Sequence, residues 1–129
     1  MQLIQIIQKF EFNTIYMELC ELVPEISRKR AQLQDVYDFL LAQQPVTSKK
    51  KILYHLIEDD ESFDCFVGAD DKCFEANWNV IIGKEVEISD DVDISMLEIV
   101  VNAFLCIMLI GFTPKRFAEF QSELRELMH

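Results

Sequence analysis

The chain has 129 residues, half of them hydrophobic, with a formal charge of −11 and four cysteines. That length fits one domain, residues 1–129, able to bury roughly two-thirds of its unfolded surface without a disulfide or metal staple. All the net charge lies in the middle third, where Glu58 to Asp93 hold thirteen acids against Lys72 and Lys84; such a segment repels a phosphate backbone, which argues against nucleic acid as a partner and for basic proteins or cations.

The opening MQLIQIIQKF has no basic residue ahead of its aliphatics and no small-residue cleavage site, so the expected compartment is the cytoplasm. Leu3, Ile6, Ile7 and Phe10 repeat at helical spacing, and Ile15, Leu19 and Leu22 repeat in a second phase, with a break expected at Asn13. Pro24 ends this segment and opens a second helical stretch striped by Ile26, Leu33, Val36, Tyr37 and Leu40, which Pro45 closes. Arg28, Lys29 and Arg30 fall on its polar side and read as a solvated face.

After Thr47 the pattern reads as strands. Lys51 to Glu58 also fits a helix through Ile52, Leu53, Leu56 and Ile57, but three lysines before it and three acids after it oppose a helix dipole, so a strand buried on both faces is expected. Cys73 to Ile82 alternates, with Phe74, Ala76, Trp78, Val80 and Ile82 on one side and Cys73, Glu75, Asn77, Asn79 and Ile81 on the other. Gly68 to Asp71 supplies a turn from Ser62–Val67 into that strand, Gly83 and Lys84 turn the chain again, and Val86 with Ile88 alternates once more. The register that keeps apolar side chains on one face sets Cys65 and Cys73 on opposite faces, against a disulfide.

Ser95 to Phe112 is the most apolar stretch, interrupted only by Ser95, Glu98 and Asn102, which share one edge of a helix. Ser95 with Glu98 matches a capping box, and Gly111 followed by Pro114 marks the end. About sixteen helical residues rise roughly 24 Å, short of a roughly 30 Å hydrocarbon layer, so no membrane span is expected. A last helix capped by Thr113, with Phe117, Phe120, Leu124 and Leu127 inward, completes an antiparallel hairpin. The expected fold is therefore α+β: N-terminal helices, an antiparallel three- or four-stranded meander, and a C-terminal antiparallel helical hairpin.

Trp78 with Gly83, Ser95 with Glu98, and Gly111 with Phe112 resemble an uncharacterised family of small proteins from gut-dwelling bacteria, over roughly the last half of the chain. That family carries His and Glu within the helix, where this chain has Asn102 and Cys106. The resemblance implies a cytoplasmic bacterial α+β domain and no activity.

Catalytic chemistry has few supports. There is no G-x-S-x-G, no phosphate loop and no dinucleotide fingerprint; His55 is the one internal imidazole, with Ser62, Asp64, Cys65 and Cys73 as its conceivable neighbours. Cys65 and Cys73, the only close pair of cysteines, together with the two histidines lack the short spacing of a zinc motif, and the acidic runs lack the alternating spacing of a calcium loop, so no metal or cofactor is expected. The reading that follows is a non-catalytic acidic protein-binding module, such as an inhibitor, an immunity-type protein or a regulatory adaptor, docking a basic partner through its central sheet and loops. Its expected surface is Glu58, Asp59, Asp60, Glu61, Asp64, Asp70, Asp71 and Glu75. The alternative is a small-ligand binder or enzyme with a pocket near His55, Asn77 and Trp78. A homodimer through the Ser95–Phe112 helix is compatible with either.

Overall fold

In a computed structural model of the protein, described over residues 3–82 and 95–109, every regular element is helical. Helices α1 (Leu3–Ile7) and α2 (Phe12–Leu22) lead into a 3-10 segment (Pro24–Lys29), followed by α3 (Arg30–Ala42), α4 (Val46–Ile57), α5 (Asp60–Val67), α6 (Asp71–Ile82) and α7 (Met96–Leu109). From α2 to α6 each helix packs on the next; α7 then returns against α6, α2 and α1, closing a circuit of helices around one core.

No strand is present among the described residues, and the α+β expectation with its antiparallel meander is overturned. The period-two and helical patterns of Cys73–Ile82 share Phe74, Trp78 and Ile82, all of which are buried. They differ at Ala76 and Asn79. A strand would turn Ala76 inward and Asn79 outward, whereas Ala76 is exposed and Asn79 buried, the helical arrangement. Ser62–Val67 likewise buries Ser62 and Phe66, four apart, and leaves Cys65 outside. The supposed hairpin register therefore does not exist; Cys65 and Cys73 sit exposed on separate helices, both as free thiols.

Lys51–Glu58 is the end of α4 and the first residue beyond it, and the dipole argument against a helix fails for two reasons. Two of the lysines near its N-terminal end are compensated from α6: Lys49 Nζ donates to Glu75 at 2.7 Å and Lys50 Nζ to Asp71 at 2.6 Å. The acids that follow serve the next helix. Asp59 caps α5, one carboxylate oxygen accepting from the Glu61 amide at 3.0 Å and the other from the Ser62 hydroxyl at 3.0 Å, while Asp60 and Glu61 occupy the first turn, where negative charge is favourable. Glu58, with φ of 57°, breaks the chain between the two helices, and the Lys29 ammonium donates to the Leu56 carbonyl at 2.6 Å at the negative end of α4.

Gly68 makes the equivalent break between α5 and α6. Its φ of 71° is in the region that favours glycine, and an added Cβ would lie 2.8 Å from Cys73 Cβ. Asp70 then caps α6 by accepting from the Cys73 amide at 2.9 Å.

The helical readings at the two ends fare better. The first break lies at residues 8–11, with Asn13 already inside α2, and the Tyr37 hydroxyl ties α3 to it by donating to the Phe10 carbonyl at 2.8 Å. Ser95 caps α7, its hydroxyl accepting from the Glu98 amide at 3.1 Å, and Ser95, Glu98 and Asn102 form the wetter edge of a helix otherwise buried from Ile99 to Met108. The Gly83 turn, the Val86–Ile88 alternation, the Gly111 terminus and the Thr113–Leu127 helix lie outside the described residues.

Candidate functional site

The eight carboxylates singled out in the sequence all lie between the end of α4 and the second turn of α6, and they divide by the work they already do. Asp59 and Asp70 are helix caps; Asp71 and Glu75 are ion-paired with Lys50 and Lys49. Hydrogen bonds from Cys73, its backbone amide foremost, hold the Asp70 carboxyl below the usual carboxylate range.

Four remain. Asp60, Glu61 and Asp64 occur at i, i+1 and i+4 of α5 and are exposed together with Cys65, because Ser62 and Phe66 take the opposite side into the core. Glu58 precedes them on the connecting residue and is exposed too. None of the four is in an ion pair among the described residues; Asp60 accepts a long hydrogen bond, 3.3 Å, from the Tyr54 hydroxyl. They present an outward negative stripe about one helical turn long, next to the half-exposed ring of Tyr54, which meets Phe63 edge-on with ring centroids 5.3 Å apart.

His55, Asn77 and Trp78 are not brought together. His55 is exposed on α4. Asn77 spends its amide on the Phe66 carbonyl at 2.8 Å, fastening α6 to α5. Trp78 is fully buried, edge-on to Phe39 at 5.9 Å and stacked near Phe74 at 6.3 Å. It lines a half-open cleft of about 140 Å³ between α3, α4, α6 and α1, whose polar lining is Lys49, Gln43 and Gln44 and whose apolar lining includes Phe39 and Leu40. The Trp78 Nε1–H and the second carboxylate oxygen of Glu75 are buried without a hydrogen-bond partner among the described residues.

Lys49 escaped the sequence reading. In α4 it sits at an apolar-stripe position with Val46, Leu53 and Leu56, a spacing that would have marked it as inward-facing once the segment was taken as a helix. Its ammonium also lies 5.9 Å from the Phe39 ring, and Lys50 lies 5.4 Å from Phe74, so each lysine joins a carboxylate to an aromatic face.

Among the described residues no group of three or more His, Cys, Asp or Glu side chains could hold a metal ion, and no helix is long and apolar enough to cross a membrane. The α7 helix, expected to offer a homodimer surface, spends its apolar circumference inside the chain; the large apolar side chains left exposed nearby in the fold are Met17 and Leu22 on α2 and Met96 at the start of α7. No protein-family model matches the chain, and neither a curated protein nor a solved structure shows significant similarity to it.

Proposed function

We propose that this chain is a non-catalytic cytoplasmic binding module that docks a basic protein through the outward face of α5 and the residues flanking it, in the manner of an inhibitor, immunity-type protein or regulatory adaptor. The observation that supports this reading is the sorting of the acidic segment: with the capping and ion-paired carboxylates removed, Glu58, Asp60, Glu61 and Asp64 remain as exposed charges without a counter-ion among the described residues. Like charges gathered on one helix face repel one another, and a basic partner relieves that repulsion while gaining steered association. The central sheet once expected to share the docking is replaced here by α5 itself.

The test is co-purification of tagged chain from its native cells, at low and high salt, beside a Glu61→Lys, Asp64→Lys variant. Both positions are exposed and neither side chain is a cap, so helicity should be retained. A stoichiometric basic protein captured by the wild type, released by salt and at least about tenfold depleted with the variant is the expected result. Equal capture by both chains would reduce the acidic face to a solubilising surface.

A further inference from the structure

Of the five large apolar side chains left exposed among the described residues, Met17 and Leu22 lie on α2 and Met96 opens α7. These two helices pack on each other, and between them runs a groove of about 540 Å³. Buried Val101 and half-buried Leu97 line it with apolar surface, and Leu22 leaves 60% of its area to solvent beside them. Glu18 and Glu98 line the same groove, one from each helix, both exposed and neither in an ion pair among the described residues. No lysine, arginine or histidine lines it among those residues. The groove therefore combines apolar surface that is costly to leave in water with two carboxylates that lack a cation.

Charge selects the occupant. A second copy docked about a twofold axis would set Glu18 and Glu98 against the same two carboxylates, so repulsion opposes it. A neutral or anionic segment would leave both acids unanswered, whereas a basic one complements them. Shape selects its form. The groove lies between two helices, and no strand among the described residues offers an edge to an extended peptide, so a helix laid into the groove is the form that fits. Met17 and Met96, each one residue before a lining residue, add flexible side chains that can re-pack around it.

We propose that the groove between α2 and α7 docks a basic amphipathic helix of a partner protein, whose aliphatic side chains cover Leu22, Leu97 and Val101 and whose lysines or arginines pair with Glu18 and Glu98. This surface is built from other helices than the outward face of α5 and does not rest on the α5 reading.

The probe is a synthetic amphipathic helix of about five turns, built from leucine and lysine with the leucines at i, i+3, i+4 and i+7 spacing. It is titrated into the ¹⁵N-labelled intact chain at about 0.15 M salt, where fields are screened beyond about 8 Å. Two comparators replace its lysines by glutamate or its leucines by glutamine. Saturable shifts at the amides of Leu22, Leu97 and Val101, and not at those of Asp60 and Asp64, are expected, with affinity at least about tenfold above either comparator. Leu22→Ser, and separately Glu18→Gln with Glu98→Gln, should each weaken the probe at least about fivefold. All three positions are exposed, so the helical circular dichroism should be unchanged. Glu61→Lys with Asp64→Lys should leave binding intact, which separates this groove from the α5 face. The absence of saturable shifts would overturn the proposal, as would either comparator binding as tightly as the leucine–lysine helix, or binding lost with the α5 variant and kept by the groove variants. A dimer of the chain alone in sedimentation that Leu22→Ser dissociates would also overturn it, giving the groove to a second copy.

Discussion

Lys49 shows how much one side chain can carry in a chain this acidic. It faces the core side of α4, its carbon stem covered and its ammonium held between the Glu75 carboxylate and the Phe39 ring. Lys49→Met keeps the apolar stem and removes the charge, leaving Glu75 with one buried oxygen and no cation; urea unfolding should show a loss of about 1–2 kcal/mol, below the value for a fully buried pair because the Glu75 side chain is 31% exposed. Gly68→Ala should cost at least as much, about 1–3 kcal/mol, since a positive φ and a 2.8 Å approach to Cys73 Cβ both oppose a side chain there. The two residues differed in how far the sequence showed them. Lys49 was hidden by the mistaken strand, and Gly68 was legible as a chain reversal whose flanking elements could have been strands or helices.

At the scale of the element, α4, α5 and α6 are short helices whose ends depend on side chains. Asp59→Ala should lower stability by about 1 kcal/mol through loss of a cap, and Asp70→Ala should lower it through the same kind of loss. Asp70 adds a pH dependence. Its folded carboxyl titrates below its ordinary value, so the stability it contributes is present above the unfolded value and fades as pH falls through the folded one. From about pH 4 downward the wild type should lose stability more steeply than Asp70→Ala in acid titrations followed by circular dichroism. The same carboxylates explain why these elements were misread. Lysines followed by acids oppose a helix dipole only if the acids belong to the same helix; here Glu58 breaks the chain between them, and the capping acids begin a new one. In α6, Phe74, Trp78 and Ile82 satisfy both periods, and only the small Ala76 and the polar Asn79 tell them apart. In α2, α3 and α7, by contrast, apolar stripes of several turns, joined in α7 by the Ser95 cap, left no strand alternative.

For the whole molecule, the circuit closes because α7, the most apolar helix, meets α1, α2 and α6 at once. That centrality was readable from its composition, whereas the neighbours it gathers were not, since they depend on α4 to α6 being helical. The acidic segment was legible as a charge excess but not as two populations, because a carboxylate that caps or pairs is written with the same letters as one that is free. The α5 docking face rests on that sorting, and the sorting rests on secondary structure: on a strand Glu61 would lie on the face opposite Asp60 and Asp64, and on a helix all three share the exposed side. The most direct measurement is therefore the backbone carbon chemical shifts and sequential amide–amide contacts of Val46–Ile57, Asp60–Val67 and Asp71–Ile82 by NMR of the intact chain. Continuous helical shifts in all three, interrupted at Glu58–Asp59 and Gly68–Asp70, are expected. Extended shifts across Ser62–Val67 or Cys73–Ile82 would contradict the three helices and dissolve the α5 face with them.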